Sequence, residues 1–206
     1  MTDLMELKDV QLDALREISN IGAGHAATAL SHMTGSTIMI SVPTISIAQL
    51  EDVPAQIDDN EEPIAAVLMH ILGDLSGRTL LVFPRQTAAR LAELMLRRPI
   101  GKTVDLDEMS QSAIKEAANI LTGAYLNALS EFLGLMLLPS PPSLAVDMSS
   151  AVLTTAHLQF GSDRDYVFAV ETQFFVQDRN ESLRGFFLLL PDLASLQVIL
   201  RAVRVG

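Results

Sequence analysis

One helical pattern is written twice in this chain. DALREISN at residues 13–20 returns as SAIKEAAN at residues 112–119. With that offset held across 13–43 and 112–142, eleven of 31 aligned pairs are identical, among them Glu17 with Glu116, Asn20 with Asn119, Gly24 with Gly123, Ser31 with Ser130, Gly35 with Gly134 and Pro43 with Pro142. Ordinary residue usage gives roughly two or three matches by chance. Two copies, each roughly a hundred residues, predict a pseudo-twofold domain and not a solenoid.

Both halves carry the same order of elements. Residues from about 10 to 33 place Leu15, Ile18, Gly22, Ala26, Ala29, Leu30 and Met33 at helical spacing, and Gly35 follows as a stop. STIMISV and TISIAQL, on either side of Pro43, read as strands, followed by an acidic loop, EDVPAQIDDNEEP. IAAVLMHIL and RTLLVFP are two more strands joined by a GDLSG turn, and TAARLAELMLRR closes the half as a helix. The second half runs through a long helix near 108–132, short apolar segments, DYVFAVETQFFV, GFFLLLP and DLASLQVILRAV. GRTLLVFP and GFFLLLP, each before a helix, echo one another. The expected fold is mixed α+β: one domain over 1–206 made of two repeats, about 8–99 and 107–205, with a largely antiparallel sheet and two long equivalent helices.

At 100° per residue, Asp13, Glu17, Asn20, Gly24 and Ser31 fall within about 60° of one another, opposite Leu15, Ile18, Ala26 and Met33. Ser112, Glu116, Asn119, Gly123 and Ser130 make the equivalent stripe. Asparagine and glycine are poor helix interiors, glycine costing about 1 kcal/mol against alanine. A merely wetted face drifts toward lysine, glutamate and alanine, so two copies that keep Asn and Gly point to a surface something approaches closely.

Composition limits what that something is. With 206 residues, 49% apolar and 19% charged, the chain can bury a proper core, and nothing in it reads as disordered. There is no cysteine, hence no disulfide framework, thiol nucleophile or thiolate metal site. A net charge of −11 repels nucleic-acid backbones and anionic lipid. The richest apolar run, LGLMLLP at 133–139, is far short of the roughly 18 residues of a membrane span. MTDLMELKDV resembles neither a secretory signal nor a transit peptide, so the expected location is cytoplasmic.

Glu and Asn three apart on a helix can enter the same small cavity of a partner. Glutamate would be repelled by a phosphoryl group and is better used to grip a partner's cation, typically a lysine. Asparagine is neutral, both donor and acceptor, and can hold a water in line with a phosphorus; it is too weak a base to do more. Positioning of that kind supplies most of the catalysis in phosphoryl transfer to water.

The spacing Asp or Ser, three residues, Glu, two residues, Asn, then 22 residues and Pro occurs as Asp13, Glu17, Asn20, Pro43 and as Ser112, Glu116, Asn119, Pro142. Together with EISNIGAGHAATALS it resembles the CheC family of chemotaxis phosphatases, related to CheX and to the phosphatase part of FliY. The resemblance covers essentially the whole chain. It implies hydrolysis of the aspartyl phosphate of the response regulator CheY, with Glu17 and Asn20, or Glu116 and Asn119, inserted into the regulator's active site. The regulator would bring its own lysine and Mg²⁺, leaving this chain with no cofactor or metal. It also implies a second partner, the receptor deamidase CheD, docking near Leu144, Val146, Asp147 and Met148. Two intact motifs place the chain with the CheC branch, CheX relatives keeping one site and working as dimers. A monomer is expected, because duplication already supplies the twofold. The competing reading is an adaptor that binds CheD or CheY without turnover.

The remaining polar residues carry less. His25 stands where relatives often have Asn, and with His32, seven residues on, lacks a third ligand. His70 and His157 read as packed residues, and Met69, Met95 and Met136 as core fillers. Ser76 has no accompanying His and Asp set, and no phosphate-binding glycine loop is present.

Overall fold

Gly35 and Gly134 end the two long helices in the left-handed conformation, at φ +72° and +65°. Each lets its N–H turn back onto a carbonyl of the last turn, that of Ser31 or Ser130, without a Cβ penalty. In this computed structural model residues 9–49, 63–99, 101–103, 105–160 and 166–202 are described. Chain order is α1 (Asp9–Thr34), β1 (Ile38–Ile40), β2 (Thr44–Gln49), β3 (Pro63–Gly73), β4 (Gly77–Pro84) and α2 (Arg85–Met95). The second half follows as α3 (Glu108–Leu133), β5 (Leu137–Pro139), β6 (Ser143–Met148), α4 (Ser149–Phe160), β7 (Tyr166–Val176), β8 (Glu181–Pro191) and α5 (Leu193–Ala202). The acidic loop expected after β2 lies outside the described residues.

All eight strands join one antiparallel sheet in the order β1-β7-β8-β4-β3-β5, with β2 also on β7 and β6 also on β3. The repeats have exchanged strands: β1 and β2 of the first pair with β7 of the second, and β5 and β6 of the second pair with β3 of the first. Thr44 opposite Glu171 is mirrored by Ser143 opposite Leu68. Ile38 opposite Val176 is mirrored by Leu137 opposite Gly73. The local twofold passes through the Leu81–Phe187 pair of the central strands.

The echo between GRTLLVFP and GFFLLLP falls on the two central strands, and the register fixes how their residues correspond. Leu81 and Phe83 share the main core with Phe187 and Leu189, while Leu80 and Val82 share the opposite face with Phe186 and Leu188. Aligning the two prolines slips this correspondence by one residue, which in a strand exchanges faces.

On the main face, α1 and α3 lie over the sheet, burying Leu15, Ile18, Ala26 and Leu30 from one and Ile114, Ala117, Leu121 and Leu126 from the other. Gly22 lets the two helices approach closely, because a Cβ there would sit 2.8 Å from Tyr125 Cδ1. Tyr125 stacks on Phe187 with centroids 4.6 Å apart, its hydroxyl shares a 2.9 Å hydrogen bond with Thr172 Oγ1, and burial pushes its pKa up to about 12. The other face carries a smaller cluster around Ile64, Val82, Phe186 and Leu188, which Val152 of α4 covers.

The link between repeats is held by Glu93, which is fully buried. Its carboxylate accepts backbone N–H bonds from Gly101, Lys102 and Thr103 at 2.7–2.9 Å and one from Arg90 at 3.0 Å. Burial raises its pKa, but those donors outweigh it and bring it to about 2.

Several expectations need correcting. Met33, expected in the core, is 45% exposed on the last turn of α1, and Met136, expected as a filler, is 58% exposed. Met69 is buried and Met95 packs on the core. His70 is exposed, as its position on β3 turns it away from the main core. The side chain of His157 lies outside the described residues. The segment SSAVLTTAHLQF, within the stretch expected only as short apolar segments, is the helix α4.

Candidate functional site

α1 and α3 each bury one side against the sheet and turn the other outward. Asp13, Glu17, Asn20 and Gly24 are exposed on α1, and Ser112, Glu116 and Asn119 on α3, with Gly123 half-exposed. Because the local twofold stands on the sheet between β4 and β8, both stripes look out from the same helical layer. Neither Glu17, Asn20, Glu116 nor Asn119 makes a side-chain hydrogen bond or ion pair among the described residues. Surface glutamates and asparagines that hold no partner of their own are available to one from outside.

The expected fifth member of each stripe has another use. Ser31 is half-buried, donates to the Ala27 carbonyl at 2.7 Å and accepts from the Ile38 N–H at 2.9 Å. Ser130 is likewise half-buried and its hydroxyl donates to the Leu135 carbonyl. Both serines tie a helix end to the chain that follows. Pro43 and Pro142 lie outside the strands, one buried and one half-buried, each in the break between two short strands that pair with the same neighbour. Having no N–H, proline suits a break in an edge strand.

Two features of the stripe were not singled out in the sequence. Arg16 and Lys115 occupy equivalent positions beside the glutamates, so each site carries a cation. Arg16 pairs with Asp13 at 2.8 Å, whereas Ser112 stands in place of that carboxylate in the second copy. Ile21, next to Asn20, is 42% exposed, and its identical counterpart Ile120 is half-buried. Both were legible in the aligned repeats, one as a conservative exchange and the other as an identity.

His25 and His32 are exposed on α1, and among the described residues no three His, Cys, Asp or Glu side chains are grouped to hold a metal. Nor is any helix among them long and apolar enough to cross a membrane. On β6, Val146, Asp147 and Met148 are exposed while Leu144 packs against the core. Among the described strands β6 pairs only with β3, so no described strand lies on its outer edge.

Two interlaced α+β repeats, each turning a Glu-x-x-Asn pair outward from its long helix, define a class of internally duplicated proteins with two equivalent polar stripes. Comparison with known proteins places it further: the CheC-like family model matches twice, over residues 10–47 and 109–146. The CheY-P phosphatase CheC of Bacillus subtilis is 31% identical over 199 residues, 96% of this chain and 95% of the relative. This chain belongs to the CheC-like family. The flagellar motor switch phosphatase FliY of the same organism is 32% identical over 139 residues, 66% of this chain but 36% of that longer protein. Among solved structures, Thermotoga maritima FliY superimposes with a TM-score of 0.81 at 26% identity, covering 98% of this chain and 99% of that one. The FliM middle domain of H. pylori shares the fold, with a TM-score of 0.67 at 13% identity over 95% of this chain and 99% of that one.

Proposed function

We propose that the chain is a chemotaxis phosphatase that hydrolyses the aspartyl phosphate of a CheY-type response regulator. One observation carries this: Glu17 with Asn20 and Glu116 with Asn119 stand exposed and internally unpartnered at equivalent places in a chain whose full-length relative is named a CheY-P phosphatase. Each glutamate grips a lysine beside the regulator's phospho-aspartate, which orients the helix. The asparagine side chain accepts from and donates to one water and holds it opposite the aspartyl leaving oxygen. The water oxygen bonds to phosphorus, the bond from phosphorus to the aspartyl oxygen breaks, the aspartate leaves as carboxylate and the water's proton goes to the released phosphate. Positioning is the chain's contribution. The Mg²⁺ that offsets phosphoryl charge belongs to the regulator, and this chain needs no metal of its own.

Substoichiometric chain, added to a regulator phosphorylated by a small phosphodonor, tests the reading: release of inorganic phosphate should accelerate and turn over many times. Release at the regulator's own rate would leave the adaptor reading standing. Docking of CheD is proposed as a separate contact on the outer edge of β6, through Val146, Asp147 and Met148. Val146→Asp with Met148→Asp should lose CheD and keep phosphate release; retained CheD binding would move that contact elsewhere.

A further inference from the structure

Gly24 and Gly123 stand at equivalent positions, four residues past Asn20 and Asn119. Both have ordinary helical φ, and a Cβ built on either meets nothing within 4 Å. Gly22, two residues earlier, is the opposite case: its Cβ would come within 2.8 Å of the Tyr125 ring and 3.0 Å of the Tyr125 Cα. Its counterpart in the second repeat is Leu121, so the glycine required by internal packing is not shared by the repeats, while the glycine that packing does not require is. Alanine would favour the helix at both open positions. Nothing within the described chain explains why each repeat holds glycine there.

We propose that Gly24 and Gly123 set the seating distance of the partner: a backbone segment of the phosphorylated regulator lies against the helix at these turns, closer than a Cβ permits. This rests on the phosphatase reading given above. The glycines are positioning residues: they touch no reacting atom and act through how closely the regulator seats on the helix. A helix rise of 1.5 Å per residue puts Glu17 and Gly24 about 10 Å apart, the length of helix the regulator must cover. Ser31 and Ser130 bound that footprint, since their hydroxyls are used within the chain. The contact is therefore short and backbone-like.

Two double variants test it, Gly24→Ala with Gly123→Ala and Gly24→Gln with Gly123→Gln, both favourable to the helix. Phosphate release from the phosphorylated regulator is measured as kcat and KM beside the wild type, with melting temperature in parallel. The expected result is a KM raised about tenfold by alanine and further by glutamine, kcat little changed and melting temperature unchanged or higher. Wild-type KM in both variants would overturn the seating role, as would a lowered melting temperature, which would make the glycines structural. A wild-type chain that does not accelerate phosphate release would instead sink the phosphatase reading, and the seating role with it.

Discussion

Arg16 donates to the Asp13 carboxylate across 2.8 Å at the entrance to the first stripe. The second stripe has Lys115 at the equivalent position and Ser112 where Asp13 would be, and Lys115 has no carboxylate partner among the described residues. One fewer negative charge therefore faces the partner at the second site. On the phosphatase reading the partner carries a phosphoryl anion, and in water such differences are small and screened by salt.

An asymmetry between the sites follows. Asn20→Ala leaves only the second site and Asn119→Ala only the first. At low ionic strength the former should have a KM lower by about twofold to fivefold, and Asp13→Ser should narrow the gap. Both effects should fade as salt rises. Equal KM values at every ionic strength would show that the charge difference is not felt.

The two neighbouring glycines of α1 should respond in opposite directions to the same change. At Gly22 an alanine must displace the ring and backbone of Tyr125, so Gly22→Ala should lower stability by about 1 kcal/mol or more despite the better helix former. At Gly24 the methyl enters open space, so Gly24→Ala should raise it by up to about 1 kcal/mol. Urea unfolding of both variants checks this. A Gly22→Ala chain as stable as the wild type would mean that α1 and α3 can part at no cost.

Glu93 makes stability fall on the acid side. Its folded pKa of about 2 lies below the ordinary 4.5, so its contribution is fully present above pH 4.5 and is lost as pH falls toward 2. A shift of that size corresponds to roughly 3 kcal/mol at neutral pH. Glu93→Gln should lose about that much at pH 7, and the gap between variant and wild type should close below pH 4.5. Unfolding curves at pH 7 and pH 3 test both halves of the statement; a gap that stays constant with pH would remove Glu93 as the anchor of the link between repeats.

Much of this was legible in the sequence because it is local or duplicated. Helical spacing gave α1 and α3, the glycines after them gave the stops, and the repeat gave the two Glu and Asn pairs. Strand exchange was not legible: a strand's own pattern says which side is buried but not which repeat supplies its neighbour. The one-residue slip between β4 and β8 was hidden for the same reason, as only cross-strand register fixes it. α4 escaped because SSAVLTTAHLQF is rich in Ser, Thr and Val, which do not favour helices. Ser31 and Ser130 share the angle of the stripe, and only the returning chain at Ile38 and Leu135 reveals that their hydroxyls are in use.

The central claim is that Asn20 and Asn119 hold the water that cleaves the aspartyl phosphate. It is tested most directly by following decay of the phosphorylated regulator with the wild-type chain, each single Asn→Ala variant and the double variant, with regulator binding measured beside each. The account predicts that each single variant keeps part of the acceleration, that the double variant returns decay to the regulator's own rate, and that the double variant still binds within about threefold of the wild type. A double variant that still accelerates decay would contradict it.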